Sequence, residues 1–291
     1  MSIVYLNGQW LPMDAAQVSI MDRGFLFGDG VYEVIPVYSR RPFRLAQHLA
    51  RLQQSLTGIQ LSNPHSEAEW TDIAMQMAAR ADAPDQSIYM QVTRGPMAVR
   101  NHAFPPETEI RPTVVLMSDP LLTPPQSQVD HGIAALTAAD IRWLRCDLKV
   151  TSLLANCLLR QQAVAAGCAE ALLFRDGVLS EGSASSIFVV QNGELLAPIK
   201  DHRMLPGITY DVILELAERH GLPFAVRDIS EAETRAADEL WMASSTREVL
   251  AIVELDGRKV GAGETAGRPG PIFRAMYAWY QDYKNTVMRH G

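Results

Sequence analysis

Lysine is scarce in this chain of 291 residues: of 26 basic residues only four are lysine, at positions 149, 200, 259 and 284. Long apolar runs are missing too, which argues against a bilayer-spanning helix. The N-terminus carries no basic stretch leading into an apolar one, so a leader peptide is not expected. There is no excess of positive charge. The net charge is −7 and the arginines are scattered, which leaves no electrostatic footprint for nucleic acid or an acidic membrane. Cys146, Cys157 and Cys168 are odd in number and lack metal-site or Cys-x-x-Cys spacing. Free thiols in a reducing, cytoplasmic setting are therefore expected, and a metal site is not. What remains is 47% apolar and 20% charged residues, the composition of a globular protein. The length suits one large domain or two ordinary ones.

With lysine so scarce, each position counts. Lys200 lies in a Pro-Ile-Lys-Asp-His loop, Lys259 follows an Asp-Gly turn and Lys284 sits in a polar tail. Lys149 differs: it ends the segment 140–149, Asp-Ile-Arg-Trp-Leu-Arg-Cys-Asp-Leu-Lys, and leads straight into an apolar helical run. A lysine where a strand gives way to a helix suits a Schiff-base lysine. There a fixed, desolvated amine has the lowered pKa that covalent carbonyl chemistry requires. Spacing alone favours a strand-end lysine with its ammonium in water.

The first part of the chain reads as mixed strands and helices. Asn7-Gly8 between Ile3–Leu6 and Gln9–Leu11 is a hairpin signature, because Asn-Gly supplies positive φ angles. A second strand pair is expected across Gly30–Tyr38. Leu45, Leu49, Leu52, Leu56 and Ile59 recur at helical spacing, with Gly58 as a stop signal. Ser66-x-x-Glu69 is a capping box opening a helix that carries Trp70, Ile73 and Met77 inward. Strands follow at Ser87–Thr93 and Thr113–Ser118. Residues 119–128 hold three prolines without periodicity and make the best linker. This divides the chain into a small domain at 1–118, a linker at 119–128 and a larger domain at 129–291. The second part offers strands at about Gly132–Leu136, Glu170–Phe174, Ser186–Val190, Glu194–Ala197, Glu239–Ala243 and Val249–Glu254. Helices are expected at Leu153–Ala166, from Gly207 to His220, after the capping box Ser230-x-x-Glu233, and at Ile272–Lys284.

Four further features could carry chemistry. Glu181, in Leu-Ser-Glu-Gly-Ser at 179–183, ends a short strand among small residues. A carboxylate there can hydrogen-bond a protonated ring nitrogen; standing alone it reads as an ordinary turn glutamate. Pro-Gly-Ile-Thr at 206–209 opens a helix whose first N–H groups lack internal partners, a ready but common anion site. Ala-Ser-Ser-Thr at 243–246 offers hydroxyl and amide donors, or is simply a polar loop. Arg100-Asn-His102, in a proline-flanked loop, suits carboxylate recognition by the arginine fork, or is solvent-exposed.

Together, Asp-Arg-Gly-Phe-Leu-Phe-Gly-Asp-Gly-Val-Tyr-Glu at 22–33, Asp-Leu-Lys at 147–149, Leu-Ser-Glu-Gly-Ser at 179–183, Leu-Pro-Gly-Ile-Thr at 205–209 and Ser-Ser-Thr at 244–246 resemble one family. They follow the order and approximate spacing of fold-type IV pyridoxal-phosphate enzymes, end to end. That group holds D-amino acid aminotransferases, branched-chain aminotransferases and aminodeoxychorismate lyases. Gly28-Asp-Gly30 is not a nucleotide loop, since no Gly-x-x-Gly continuation leads into a helix. The loop at 93–105 looks most like that of the D-amino acid aminotransferases.

The resemblance implies a two-domain α+β fold, a small N-terminal and a larger C-terminal domain, and pyridoxal 5'-phosphate as cofactor. It makes Lys149 the Schiff-base lysine, Glu181 the partner of the pyridine nitrogen and Leu205 a packing contact on the ring. Arg51, Ile208, Thr209, Ser245 and Thr246 would hold the phosphate. Arg51 flanks the leucine stripe of its helix and by pattern alone is a solvated arginine. Tyr32, Arg100 and His102 would trap the substrate carboxylate. Arg247 is larger and more basic than that loop leads one to expect: a phosphate contact, a substrate contact or a surface charge. The resemblance also implies a homodimer in which the Arg100–His102 loop can serve the neighbouring subunit. The implied reaction exchanges the amino group of a D-amino acid and a 2-oxo acid. The alternatives are an L-branched-chain or (R)-amine aminotransferase, a lyase releasing pyruvate from aminodeoxychorismate, and a non-enzymatic cofactor-binding protein.

Overall fold

The computed structural model describes residues 3–290. The chain divides into two compact units, residues 1–122 with 148–153 and 287–291, and residues 123–147 with 154–286. The sequence places Lys149 with the second part; the structure groups it with the first. The cause is burial, since Leu148 and Val150 belong to the core of the first unit.

The first unit opens with strands β1 (Ile3–Leu6) and β2 (Gln9–Pro12), joined by the expected turn, where Asn7 and Gly8 take positive φ. A short helix α1 (Arg23–Phe27) precedes strand β3 (Gly30–Tyr38) and the stub β4 (Arg41–Pro42). Helices α2 (Leu45–Gly58) and α3 (Glu67–Arg80) lead to strands β5 (Gln86–Thr93) and β6 (Thr113–Pro120). Among the described residues the sheet order is β2-β1-β6-β5-β3-β4, antiparallel throughout. Residues 30–38 form one continuous strand rather than a pair. Pro36 lacks an N–H, but its carbonyl accepts from the Phe43 N–H at 2.8 Å, so the strand runs through it. The capping box of α3 forms as read, Ser66 and Glu69 bonding each other's backbone N–H.

Helix α2 carries two adjacent buried stripes. Leu49, Leu52 and Leu56 enter the core with Val31 and Ile35. Beside them His48, Arg51 and Ser55, at helical spacing, are buried polar groups. Gly58 closes the helix for a packing reason as well: a Cβ there would come within 2.4 Å of a Leu148 methyl. Its absence lets the lysine-bearing segment approach.

The second unit contains α4 (Gln126–His131), β7 (Ile133–Ala139), α5 (Leu154–Ala165) and the strands β8 (Glu170–Arg175), β9 (Val178–Gly182), β10 (Ser186–Gln191) and β11 (Glu194–Ala197). Then come α6 (Ile208–Arg219), β12 (Phe224–Val226), α7 (Glu231–Arg235), β13 (Glu239–Ser244), β14 (Glu248–Leu255), β15 (Arg258–Lys259) and α8 (Pro271–Tyr283). Its sheet is mixed, in the order β12-β11-β10-β13-β14-β7-β8-β9 with β15 on β14. Parallel pairs are β11–β12, β14–β7 and β7–β8. The strands are buried along most of their length, among them Leu172, Ile187, Val189, Leu240 and Ile252. Among the described residues no helix is long and apolar enough to cross a membrane.

Candidate functional site

In the first unit the site is assembled on β3. Residues 149–151 run beside it as an extra strand: the Tyr32 N–H donates to Lys149 O and the Thr151 N–H to Gly30 O, both at 2.9 Å, with Val31 bridging Val150. From the helix side, Ser55 Oγ accepts the Lys149 N–H at 3.1 Å. The backbone on both sides of Lys149 is thus held, and its Nζ lies 4.2 Å from the centre of the Tyr32 ring. Among the described residues that amine has no hydrogen bond or ion pair. Tyr89 stacks on the Tyr32 ring, 5.5 Å between centroids. Burial pushes the Tyr89 hydroxyl up to about 12.

Strand alternation puts Glu33 on the same face as Val31 and Ile35, against α2. Arg51 grips it with Nε at 2.8 Å and Nη2 at 2.7 Å, and His48 Nδ1 lies 2.7 Å from its second oxygen. Burial alone would raise the Glu33 carboxyl; the Arg51 guanidinium and His48 outweigh it and bring it down to about 2. His48 goes the other way from what its carboxylate partner favours. Burial dominates and lowers its proton affinity, with Arg51 and Lys149 adding repulsion. A neutral ring donating from Nδ1 to Glu33 follows, and its buried Nε2 has no partner among the described residues. Glu33 and His48 are residues the sequence reading did not pick out. Only the Glu-x14-His-x2-Arg spacing, across two elements, could have signalled them.

The predicted carboxylate trap is partly assembled. Arg23 donates to the carbonyls of Asn101 at 2.7 Å, Ala103 at 3.2 Å and His102 at 3.2 Å, pinning the loop. Arg23 and Arg94 both also bind Asp29, which gives the Gly-Asp-Gly motif a structural role. The Arg100 guanidinium sits 4.8 Å from the Phe27 ring centre and the His102 ring 5.2 Å from it. Arg100 and His102 therefore come together around Phe27, exposed to solvent. Among the described residues no hydrogen bond or ring contact joins either to Tyr32 or Lys149.

In the second unit Glu181 lies at the end of β9, buried, and its Oε1 accepts from Arg142 Nη1 and from the Leu205 N–H at 3.3 Å. Arg142 in turn spans Asp140, with Nε and Nη2 each at 2.9 Å, and donates to Arg203 O at 3.0 Å. Arg175 closes the group on Asp140 at 2.9 Å. Burial would lower the Arg142 guanidinium, but its bonds to Asp140 and the Glu181 charge hold it above the usual arginine value. Burial likewise would raise Asp140, and the hydrogen bonds and charge of Arg142 hold it below the usual range. Arg142, also missed from sequence, lies in the segment that leads to Lys149, where the Asp140-x-Arg142 spacing was the available signal.

Helix α6 begins after Gly207 with no side chain capping it, so the first N–H groups at Ile208 and Thr209 face outward from the helix as donors. Ser245 and Thr246 lie in the turn between β13 and β14, half-buried. Among the described residues no hydrogen bond ties them to Glu181 or to α6. Among the described residues there is also no group of His, Cys, Asp or Glu arranged to hold a metal ion.

Each unit taken by itself carries groups that suit a phosphate-bearing aldehyde cofactor: in the first, a lysine amine with no carboxylate partner among the described residues; in the second, a buried carboxylate held by a guanidinium and an uncapped helix start. Comparison with known proteins agrees. A model of the amino-transferase class IV family matches residues 30–255. A D-alanine aminotransferase of Bacillus licheniformis is 36% identical over 279 residues, 96% of this chain and 96% of that protein. The fold matches a T.th. branched-chain amino acid aminotransferase solved with pyridoxamine 5'-phosphate, with a TM-score of 0.88 at 24% identity, over 99% of this chain and 95% of that one. A fold IV transaminase of Curtobacterium pusillum matches with a TM-score of 0.81 at 26% identity, over 97% and 93%.

Proposed function

We propose that this chain, which belongs to the class IV aminotransferase family, exchanges the amino group of a D-amino acid such as D-alanine with a 2-oxo acid such as 2-oxoglutarate, in two half-reactions. It is a pyridoxal 5'-phosphate enzyme of fold type IV. The observation that carries the chemistry is the Lys149 amine, fixed at its backbone and free of any carboxylate partner among the described residues.

Bound pyridoxal 5'-phosphate supplies the electron sink that makes the substrate α-proton removable and carries the amino group between the half-reactions. Lys149 would anchor the cofactor, and its Nζ would take the proton from the substrate α-carbon and deliver it back as general base and acid. Glu181, ion-paired with Arg142, would accept a hydrogen bond from the pyridine nitrogen. Leu205 would pack on the ring. Arg51, oriented by Glu33, the N–H groups of Ile208 and Thr209 and the hydroxyls of Ser245 and Thr246 would hold the phosphate. Tyr32, Arg100 and His102 bind the α-carboxylate and so select the face of the α-carbon that meets Lys149.

The enzyme works as a homodimer in the cytoplasm. Support for the dimer comes from the exposed pair Arg100 and His102, which lack contact with Tyr32 in their own chain among the described residues, and from the exposed apolar side chains of Ile20, Phe25 and Val99 in the same stretches. In that assembly the Arg100–His102 loop serves the neighbouring subunit. Three unbridged cysteines suit a reducing compartment. The test is the product balance: D-alanine with 2-oxoglutarate should yield pyruvate in step with glutamate, and L-leucine should not serve as donor. Amino transfer from L-leucine alone would overturn the D-selective reading. Pyruvate from aminodeoxychorismate without an acceptor would overturn the transaminase reading.

A further inference from the structure

Arg247 has no place in that chemistry, and its surroundings are electrostatically unusual. Its N–H donates to Ser244 Oγ at 3.2 Å, closing the turn between β13 and β14. Its guanidinium turns to the start of β8, where Nη1 donates to the Ala169 carbonyl at 3.2 Å. Arg160, on α5, donates to that same carbonyl oxygen. Two guanidinium groups therefore share one neutral acceptor, each half-buried. Neither makes an ion pair, and apart from a 4.0 Å contact of Arg247 with Met242 Sδ, no other acceptor meets them among the described residues.

The carboxylate closest in effect, Glu170, is committed elsewhere. It accepts from the Ala171 N–H at 2.8 Å, the Ser183 N–H at 3.0 Å, the Ser183 hydroxyl and the Ser185 hydroxyl at 2.8 Å. Burial lowers the proton affinity of Arg247, the charge of Arg160 lowers it further, and Glu170 only partly offsets this. A pair of like charges in a half-buried setting is relieved when an anion takes the place of water between them.

We propose that Arg160 and Arg247 form an anion site, beside the Ser244–Thr246 turn, that takes a tetrahedral phosphate-class oxyanion. A planar carboxylate is consumed by one guanidinium fork, whereas a tetrahedral oxyanion offers acceptor edges to two forks arriving from different elements. Phosphate chemistry reaches the site from either of two sources, free phosphate or the phosphate ester of the cofactor. The second source rests on the cofactor reading above, and the first does not.

The test is calorimetric titration of inorganic phosphate into the holoenzyme and into enzyme stripped of cofactor, for the parent and for a chain carrying Arg160→Gln and Arg247→Gln. Binding to the holoenzyme that weakens at least tenfold in the double variant establishes the site for free phosphate. Binding to the stripped enzyme alone, weakened at least tenfold in the variant together with affinity for pyridoxal 5'-phosphate, assigns the site to the cofactor. Phosphate binding that the substitutions leave unchanged overturns the proposal, as does absence of binding in both forms. If the double variant does not fold, Arg160→Lys with Arg247→Lys keeps the charge and removes the forks, and the same weakening is expected. A protein that binds phosphate through these arginines but never binds pyridoxal 5'-phosphate would refute the cofactor reading and leave this one standing.

Discussion

The Glu33–His48–Arg51 cluster of the first unit and the Asp140–Arg142–Glu181 cluster of the second are built from the same buried carboxylate–guanidinium contact. Their surroundings differ. In the first, one carboxylate on a strand is gripped by a two-point fork and a neutral imidazole, all from α2. In the second, one guanidinium is shared by two carboxylates, with Arg175 balancing the charge on Asp140. The first arrangement uses a carboxylate to aim an arginine; the second uses an arginine to hold a carboxylate ionised. A buried ion pair by itself contributes little net stability, since desolvation offsets attraction. Its use here is orientation, and which partner is oriented depends on how the rest of the cluster balances the charge.

The largest effect expected is from neither cluster but from the Lys149 amine. Lys149→Ala should cut turnover by at least about a thousandfold, measured with D-alanine and 2-oxoglutarate. Near-normal turnover would contradict the role proposed for Lys149.

Removing the arginines tests the contrast itself. Arg51→Met and Arg142→Met should each lose about 3–5 kcal/mol in urea unfolding, because each strands a buried carboxylate. Their functional losses should differ in kind. Arg51→Met should weaken cofactor affinity more than kcat, and Arg142→Met should lower kcat more than affinity. Identical patterns would break the comparison.

Acid sharpens it further. His48 holds its proton less tightly folded than unfolded, so the first unit should lose stability as pH falls below the ordinary value of 6.5. Glu33, at about 2 against an ordinary 4.5, adds a second loss as pH falls through that interval. The second cluster contains no histidine, and the contribution of its Asp140 should be lost only as pH falls below the ordinary value of 3.8. A thermal midpoint followed against pH should therefore fall in stages, and His48→Gln should flatten the stage nearest neutrality. An unchanged profile in that variant would show that His48 is not held neutral.

The smallest effect is one the two units share. Ser66→Ala and Ser230→Ala remove the capping serine of α3 and α7, and each should cost about 1 kcal/mol.

What was legible in the sequence was local. The Asn7-Gly8 turn and both capping boxes depend on residues within a few positions of one another, and they form as read. The expected strand pair is one continuous β3 because the neighbour of Pro36 asks it only for a carbonyl, a tertiary fact that the local sequence does not carry. Leu148–Leu153 joins the first unit because Leu148 and Val150 fill a core made more than thirty residues earlier in the chain, a fact no local pattern carries. The same reason hid Glu33, His48 and Arg142. Lys149 stood out through scarcity and Arg51 only through the family resemblance, but their partners are fixed by tertiary contacts.

The most direct measurement is the visible absorption spectrum of the purified protein during separate additions of D-alanine and L-alanine. The cofactor band should bleach with D-alanine and return on adding 2-oxoglutarate, while L-alanine leaves it unchanged. Bleaching by L-alanine alone would contradict the D-selective reading, and a protein that stays colourless after incubation with pyridoxal 5'-phosphate would contradict the roles given to Lys149 and Glu181.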